Sequence, residues 1–384
     1  MFDRTIFSEE HEIFRKTVAR FVEEEMVPYH EQWEEDGIVP QSLWLKAGEA
    51  GLLCLTVPEA YGGPGGDRLH AIVVIEEMAK KNITGPGFYL HSDIVASYLI
   101  NYGTEEQKKK WLPKCVSGEV ILSVGMTEPG GGSDLANIKT TAIRDGDEYV
   151  INGQKTFISN GHNAGLTVLA VKTDPSLGAK GVSLILVEND RPGFTKGRNL
   201  KKVGMKAQDT AELFFDNVRV PASNVLGEEG KGFIILMKQL EWERMIIAAH
   251  CTATAEAALE WTIDYANQRM VFGKPVSDFQ NTRFKLAEVK TSLTVGRIFV
   301  DRCLDALMKG ELDNATASMA KLWGSELLGK VVDECVQLHG GYGFMWEYPI
   351  ARAYADARVR RIAGGSSEVM KTIISRTMFP KESR

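Results

Sequence analysis

Residues 119–126 read EVILSVGM, and at this point the spacing of apolar residues along the chain changes. Every second residue from Val120 to Met126 is apolar, a period of two that indicates a β-strand. Further strand-like segments, separated by turn sequences such as Asp145-Gly146-Asp147, lie at 148–159, 166–172, 182–187 and 211–215. The middle of the chain is therefore predicted to form an all-β domain over residues 119–229, a small barrel or sandwich.

The sequence on both sides of this β domain is typical of helices. Ser8 begins one periodic apolar run, and Thr104 with Gln107 forms a capping box for a helix that is expected to end at Pro113. Three long helices are predicted after Gly230, at residues 232–269, 277–308 and 313–339, and two shorter ones follow at 349–359 and from 366 onward.

The order of these segments predicts the fold class. It is α+β, with an N-terminal helical domain at 1–118, the β domain at 119–229 and an antiparallel four-helix bundle at 230–384. A Rossmann fold and an eight-stranded α/β barrel are excluded because their strands and helices alternate. The chain also lacks the glycine patterns GxGxxG and GxxxxGK[ST] of nucleotide-binding loops.

Composition narrows the function classes. The 384 residues carry 45 Lys and Arg against 51 Asp and Glu, and this acidic balance argues against general nucleic-acid binding. No apolar run approaches the ~20 residues of a membrane span, and the charged N-terminus is unlike a secretory signal. The five cysteines are scattered and show no CxxC spacing, so we expect a reducing compartment. The seven histidines are scattered as well, so no metal site is expected. The expected location is a bacterial cytoplasm, with a processed mitochondrial matrix enzyme as the alternative.

Glycine-rich segments are the first candidates for ligand binding. MTEPGGGSD at 126–134 offers backbone N–H groups and hydroxyls that suit an anionic or carbonyl-rich ligand, although a flexible turn explains it equally well. AGGSSE at 363–368 leads into a helix N-terminus, which favours anions. QLHGGYGF at 337–344 ends a helix, and its His339 is expected to be structural. The two cations of RMVFGKP at 269–275 suit either a phosphate or the negative end of a helix.

A carboxylate on an apolar helix face is the candidate for chemistry. Glu243 lies seven residues after Leu236 and four before Ile247, so it shares their face, whereas Glu241 is placed to pair with Arg244. Burial should raise the pKa of Glu243, as a general base working near neutral pH requires. A buried salt bridge without catalytic use is the alternative.

Together these segments resemble the acyl-CoA dehydrogenase family, and the resemblance covers essentially the whole chain. Within that family the chain resembles the long-chain acyl-CoA dehydrogenase branch, with which it shares the stretches VQLHGG, MWEYPIA and KAQDTAELFF. The motifs follow the family's order and are MTEPGGGSD at 126–134, FISNG at 157–161, GMKAQDTAEL at 204–213, QRMVFGKPVSDFQ at 268–280, QLHGGYGF at 337–344 and AGGSSE at 363–368.

The resemblance implies bound FAD. In the β domain its expected contacts are Val124, Met126, Thr127, Ser133, Phe157, Ile158 and Ser159. In the bundle they are Arg269, Phe272, Gln280, Gln337, Gly340, Gly341, Ser366 and Glu368. Arg269, Gln280, Gln337 and Gly341 would reach the FAD of a neighbouring subunit, which implies a homotetramer built as a dimer of dimers.

The family reaction is α,β-dehydrogenation of an acyl-CoA to the trans-2-enoyl-CoA. A base takes the α-proton, the β-hydrogen leaves as hydride to flavin N5, and electrons pass to electron-transfer flavoprotein. Most members place the base where this chain has Gly364, which cannot act as one. The isovaleryl and long-chain branches place it before a helical Arg, and Glu243 precedes Arg244 here. The resemblance therefore implies that Glu243 is the base, that Gly364 N–H binds the thioester oxygen and that Arg244 either orients Glu243 or holds the local charge balance.

The remaining substrate contacts implied by the resemblance are Ser133, Ala179, Lys180, Ile234, Trp242 and Gly365. Ile234 and Trp242 depart from the long-chain pattern and are expected to line the acyl cavity. A medium- or long-chain acyl-CoA is the expected substrate. The alternatives are an acyl-CoA oxidase that uses O2, a branched-chain or isoprenoid acyl-CoA dehydrogenase, and a non-catalytic flavin- or CoA-binding scaffold.

Overall fold

Helices form the part of the chain that precedes the sheet. The computed structural model describes residues 3–379. Its first helices are α1 (Glu9–Phe21), α2 (His30–Asp36), α3 (Gln41–Glu49), α4 (Arg68–Lys80), α5 (Ala96–Tyr102) and α6 (Glu105–Val116). Two π-helical turns, Val22–Met26 and Leu90–Val95, follow α1 and precede α5. The prediction that α6 ends at Pro113 is wrong by one turn, because Ser117 N–H bonds to the Pro113 carbonyl and continues the helix.

The caps of α1 and α4 share one carboxylate. Asp67 Oδ1 accepts from backbone N–H groups of α4 and lies 2.9 Å from His70 Nδ1 and 3.0 Å from His11 Nε2. His11 Nδ1 in turn lies 3.1 Å from the Ser8 nitrogen at the start of α1. Within residues 3–379, His11, Asp67 and His70 form the one His/Asp group spaced closely enough to hold a metal ion. Their hydrogen bonds already explain the arrangement, because His11 belongs to the capping box of α1 and Asp67 and His70 form the capping box of α4.

The sheet lies between the two helical regions. Its strands are β1 (Leu122–Gly125), β2 (Thr141–Asp145), β3 (Glu148–Ser159), β4 (Leu166–Lys172), β5 (Val182–Glu188), β6 (Phe194–Asn199) and β7 (Thr210–Pro221). Within the described residues they form one curled sheet with the order β1-β4-β2-β3-β7-β6, and β5 pairs with β4. Its two halves meet where Thr141 pairs with Lys172, so the sheet encloses an apolar core of its own.

Two strands of this sheet were not predicted from the sequence. β2 is short, and β6 reads FTKGRN with one buried residue, so neither shows the alternation that reveals a strand. Both are fixed by pairing instead: β2 forms a hairpin with β3 across Asp145 and Glu148, and β6 pairs with β7. The predicted α+β class and the sandwich-like β domain are confirmed.

The C-terminal region is a bundle around one long central helix. Its elements are α7 (Gly232–Gln268), a short hairpin of β8 (Met270–Val271) and β9 (Lys274–Pro275), α8 (Gln280–Met308), α9 (Asn314–His339), α10 (Pro349–Ala357) and α11 (Ser367–Met378). α7 packs against α8, α9 and α10 within the bundle and against α4 of the N-terminal region. Every residue from Trp242 to Ala255 is buried, so the middle of α7 has no solvent face.

A buried ion network joins the N-terminal helices to the bundle. Glu76 of α4 is 1% exposed and contacts three guanidinium groups, those of Arg4, Arg15 and Arg297, at 2.8–3.0 Å. Burial alone would raise the pKa of Glu76, but Arg297 and the other two cations hold it at about 2. Arg4 and Arg297 also contact Asp301 of α8, so the network fixes α4 against the bundle.

The side chain of Asp93, in the second π-helical turn, is buried. Its side chain is 5% exposed, and Oδ1 has no hydrogen bond within the described chain. Burial raises the pKa of Asp93 to about 8. Because the folded pKa lies above the usual value of about 4, the protein loses stability as pH rises from that value towards 8.

We therefore predict that Asp93→Asn stabilises the protein at pH 8 by a few kcal/mol, since one pKa unit corresponds to about 1.4 kcal/mol. The gain should shrink towards zero at pH 4–5, where Asp93 carries its proton in the folded state as well. Urea denaturation at each pH measures the effect, with the exposed Asp190→Asn as the control variant. A pH-independent difference between Asp93→Asn and the wild type would contradict the prediction.

Candidate active site

Glu243 lies in the fully buried stretch of α7. Its side chain is 6% exposed, and Oε1 accepts a 2.8 Å hydrogen bond from the Tyr98 hydroxyl of α5. Burial raises the pKa of Glu243, while the Tyr98 hydroxyl and the charge of Arg244 oppose that rise. A carboxylate in this state can accept a proton near neutral pH, as a general base must.

A tight turn packs against the same stretch of α7. Gly364 and Gly365 have φ values of +64° and +90°, a conformation that side-chain-bearing residues rarely adopt. A Cβ added to Gly364 would lie 2.3 Å from Cδ1 of Ile247, one helical turn beyond Glu243. The Gly364 backbone therefore lies close to α7 because it carries no side chain.

A buried lysine and a helix cap hold this glycine turn. Lys321 Nζ of α9 donates to the Gly365 carbonyl at 2.6 Å, and burial lowers the pKa of Lys321 to about 8. The Ser366 hydroxyl accepts from Val369 N–H and caps α11. Glu368 lies in the first turn of α11, where its charge complements the helix dipole.

Arg244 does not have the partner that the sequence predicted. Its Nη1 donates to Asn314 Oδ1 at 2.7 Å, and its Nε is buried without a hydrogen bond in the described part of the chain. Glu241 and Glu243 act on Arg244 through their charge but form no salt bridge with it within residues 3–379. Consecutive residues of a helix point in different directions, so Arg244 reaches the start of α9 while Glu243 reaches α5.

The loop after β1 and the end of β3 form a second feature of the site. Lys155 Nζ, fully buried, donates to Glu128 Oε1 at 2.8 Å and to the Met126 carbonyl at 3.1 Å. Glu128 also accepts from the backbone N–H groups of residues 139 and 140. Thr127 O accepts from residue 156 N–H at 2.9 Å, so these contacts hold the two segments side by side.

This pair of segments presents a surface that fits a planar ring. Phe157 is 67% exposed with φ +59°, and Val124, Met126, Thr127 and Ser159 beside it are each partly exposed. An exposed aromatic side chain next to free strand-end backbone suits an isoalloxazine ring. Ile158 is different: its side chain is 3% exposed and packs in the core of the sheet, so a contact of Ile158 with a cofactor would have to come from its backbone. Successive residues of a strand face opposite sides, and Phe157 and Ile158 obey that rule.

The predicted substrate residues lie in two places. Ser133 is exposed in the loop before the turn Leu135–Asn137, and that turn packs against the turn that contains Ala179 and Lys180. Ile234 is 49% exposed near the start of α7. Trp242 is buried, with its indole N–H bonded to the Asp93 carbonyl at 3.0 Å.

The other predicted cofactor residues gather at the far end of the bundle, where α7 and α9 end and α8 begins. Phe272, in the turn between β8 and β9, is 95% exposed, and Arg269 lies 5.3 Å from the Tyr342 ring. Gln280, Gln337 and Gly340 are exposed beside them, and a Cβ at Gly340 or Gly341 would meet no atom within 4 Å. From Glu243 to Arg269 α7 rises by about 39 Å, so this end cannot serve the same ligand as Glu243 within one chain.

Three side chains of the candidate site were not predicted from the sequence: Tyr98, Lys155 and Lys321. Tyr98 and Glu243 are 145 residues apart, so no local pattern joins them. Lys155 could have been noticed in the sequence, because a lysine stands at a position of its strand where the alternation predicts a buried residue. Lys321 lies on a buried helix face of small residues that includes Ser318 and Ser325, so its burial was less evident from the sequence than that of Glu243.

Comparison with known proteins identifies the family. The N-terminal, middle and C-terminal domain models of acyl-CoA dehydrogenase match residues 8–119, 123–218 and 230–379. The mitochondrial long-chain specific acyl-CoA dehydrogenase of Rattus norvegicus is 52% identical over 97% of this chain and 87% of the relative. The crystal structure of an acyl-CoA dehydrogenase from Geobacillus kaustophilus has a TM-score of 0.96 and 51% identity, covering 98% of this chain and all of that one.

The chain belongs to the acyl-CoA dehydrogenase family. It is an oxidoreductase that acts on CH–CH bonds with a flavin acceptor, in the chemistry of fatty-acid oxidation. A glutaryl-CoA dehydrogenase from Mycobacterium smegmatis, solved in complex with FADH2, is 30% identical with a TM-score of 0.91, over 99% of this chain and 97% of that one. Among the described residues, no helix is both long and apolar enough to cross a membrane.

The glycine turn provides a test of how closely it packs on α7. Gly364→Ala places a Cβ against Ile247 at φ +64°, so we expect a loss of about 1–2 kcal/mol or more in unfolding free energy. Gly341→Ala, where the new Cβ meets no atom, should change stability little. Adding Ile247→Val to Gly364→Ala should recover part of the loss in urea unfolding. Equal stability of the two alanine variants would show that the turn does not contact α7 in this way.

Proposed function

We propose that this protein binds FAD and oxidises medium- or long-chain acyl-CoA to the trans-2-enoyl-CoA, with Glu243 as the base. The observation that carries the proposal is a buried glutamate. One of its oxygens accepts a hydrogen bond from Tyr98, and a glycine turn packs against the same stretch of α7. A non-catalytic scaffold would have no need of a carboxylate whose burial costs stability.

Glu243 would remove the α-proton of the thioester. Oε1 is engaged by Tyr98, whereas Oε2 has no hydrogen bond among residues 3–379 and is the atom that would receive the proton. Burial supports this step because a desolvated carboxylate is a stronger base than an exposed one. Arg244 adds positive charge one residue away but donates to Asn314, so its role would be electrostatic.

The Gly364 N–H would donate to the thioester oxygen as negative charge develops there. Donors that are already in position stabilise such charge without having to reorganise. Lys321 would keep the turn in place through the Gly365 carbonyl, and its own positive charge lies on the same side. Glu368 and the capping hydroxyl of Ser366 would close over the cofactor at the start of α11.

The surface around Phe157 would hold the flavin ring of FAD. Bound FAD would accept the hydrogen that leaves the β-carbon as hydride. Met126 and Thr127 would contact its ring, and Ser159 would bond near the reactive nitrogen. Ser133 would contact the cofactor phosphates or the pantetheine arm, with Ala179 and Lys180 at the CoA entrance. Ile234 and Trp242 are the proposed residues of the acyl cavity.

The far end of the bundle would bind the FAD of a second subunit. Phe272 and the neighbouring Phe344 are both highly exposed, which is unfavourable unless another chain covers them. Arg269, Gln280, Gln337 and Gly341 lie there too, too distant to reach the ligand beside Glu243. We therefore propose a homotetramer built as a dimer of dimers.

The remaining proposals concern partners, location and boundaries. The electron acceptor would be electron-transfer flavoprotein, and the location a bacterial cytoplasm or a mitochondrial matrix. The domains would span 1–118, 119–229 and 230–384. An activity profile over acyl-CoA chain lengths, including branched ones, tests the substrate class.

The base is tested by Glu243→Gln. Anaerobic addition of acyl-CoA should bleach the flavin of the wild type, and the variant should reduce it slower by about 10²–10⁴-fold or more. FAD content and ligand affinity should stay close to wild type, because glutamine keeps the shape and can still accept from Tyr98. Stopped-flow absorbance measures the rate constant.

Glu241→Gln is the matched control, because Glu241 lies two residues earlier on α7 and is partly exposed. It should reduce flavin at nearly the wild-type rate. Near-normal reduction by Glu243→Gln would end the assignment, and no bleaching of the wild type at any chain length would favour the scaffold. Fast recolouring of bleached enzyme in air would indicate an oxidase.

A further inference from the structure

We propose that Tyr98 is a positioning residue for the base: its hydroxyl holds Glu243 Oε1 so that Oε2 faces the substrate, and keeps the carboxylate ionised. This inference rests on the proposed function of Glu243. Tyr98 belongs to the N-terminal helical region and Glu243 to the bundle, so the site is assembled across two parts of the chain.

The geometry of the contact supports a directed role. The Tyr98 hydroxyl lies 2.8 Å from Glu243 Oε1, and the Tyr98 side chain is fully buried. An ionised carboxylate has only acceptor atoms, so the protonated Tyr98 phenol must be the donor and the direction of the bond is fixed. Oε2 is left without a hydrogen bond in the described residues. The two oxygens of Glu243 are therefore distinguished before any ligand arrives.

The contact also survives proton transfer. When Oε2 gains the α-proton, Oε1 becomes the carbonyl oxygen of a carboxylic acid and still accepts from the Tyr98 hydroxyl. The phenolic proton stays on Tyr98 throughout, and one proton moves from carbon to Oε2. Because the hydrogen bond is stronger to the anion than to the acid, Tyr98 favours the ionised form.

The segment that carries Tyr98 is itself anchored to α7. Trp242, the residue before Glu243, donates its indole N–H to the Asp93 carbonyl, and Ser97 donates its hydroxyl to the same oxygen at 2.8 Å. A π-helical turn frees such a carbonyl from the regular helical pattern. Two successive residues of α7 are thus bonded to residues 93–98, which fixes the position of the Tyr98 hydroxyl.

The groups around Glu243 come from three elements. The Tyr98 hydroxyl of α5 donates to Glu243, and Arg244 of α7 acts on it through charge although its side chain reaches Asn314; both oppose the effect of burial on the pKa of Glu243. Tyr102 lies one turn beyond Tyr98, and Lys321 of α9 stands behind Arg244. Tyr98 is the group among these that makes a hydrogen bond to Glu243 within the described chain. Its removal should therefore have the larger effect on the ionisation of the base.

Tyr98→Phe tests the proposal. The variant keeps the ring and removes the hydroxyl, so protonation of Glu243 should become easier by about tenfold. The acidic limb of flavin reduction by acyl-CoA should then move to higher pH by about one unit. A merely structural contact would lower stability without moving this limb. Tyr102→Phe is the control, because burial is the only influence on the pKa of the Tyr102 hydroxyl and no hydrogen bond to it is formed among residues 3–379, and its pH profile should match the wild type.

A second readout needs no turnover. The carbonyl infrared band of protonated Glu243 can be followed through a pH titration of the substrate-free protein and assigned by its loss in Glu243→Gln. The band should titrate about one unit higher in Tyr98→Phe. If Tyr98→Phe does not fold, Tyr98→fluorotyrosine keeps the hydroxyl and makes it a stronger donor, so the band should titrate lower than in wild type.

The outcomes separate this proposal from the proposed function. If Glu243→Gln abolishes flavin reduction but neither Tyr98 variant moves the limb or the band, the role of Tyr98 is wrong and the base stands. If Glu243→Gln still reduces flavin, the base is wrong, and the infrared titration alone then decides whether Tyr98 controls the ionisation of Glu243. A band that titrates identically in all the Tyr98 proteins overturns the proposal.

Discussion

The structure depends on keeping one carboxylate out of water. Removing an ionised side chain from water is costly, so a protein retains one only with compensating contacts. Glu243 has a hydroxyl donor and a neighbouring cation, and both oppose the effect of burial on its pKa. The burial follows from α7 lying between the bundle helices and the N-terminal helices, which leaves its middle without a solvent face.

The surrounding architecture serves to bring backbone groups to that carboxylate. The glycine turn at 364–365 approaches α7 because it has no side chains, and Lys321 fixes it from α9. The buried pair of Lys155 and Glu128 plays the corresponding part in the β domain, where it joins the loop after β1 to the end of β3. A buried lysine that donates to a backbone carbonyl therefore occurs both in the β domain and in the bundle. In each case a long side chain stabilises a loop whose own sequence is rich in glycine.

The sequence predicted the elements and the burial of Glu243, but not the contacts between elements. The change to a period of two at Glu119 and the long helices after Gly230 are local features, and the structure has them. Glu243 was found through an amphipathic pattern, although α7 is buried on all sides there; the pattern worked because Leu236 and Ile247 are also buried. Arg244 was assigned the wrong partner, since its orientation depends on where α9 begins.

Long-range pairing explains the other differences. β6 exists because β7 lies beside it, and Asp67, the cap of α4, also contacts His11 of α1 because α1 packs on α4. The Tyr98 hydroxyl meets Glu243 only when the N-terminal helices dock on the bundle. Such contacts join residues far apart in the chain, and single-sequence periodicity carries no information about them.

The most direct measurement isolates proton removal from the rest of the reaction. An acyl-CoA analogue with sulfur in place of the β-carbon can lose its α-proton but has no β-hydrogen to give up as hydride. In D2O, nuclear magnetic resonance then follows exchange of the α-hydrogen for deuterium on the bound analogue. If Glu243 is the base, the wild-type protein catalyses this exchange and Glu243→Gln does not. Equal exchange by the two proteins would mean that another group removes the proton.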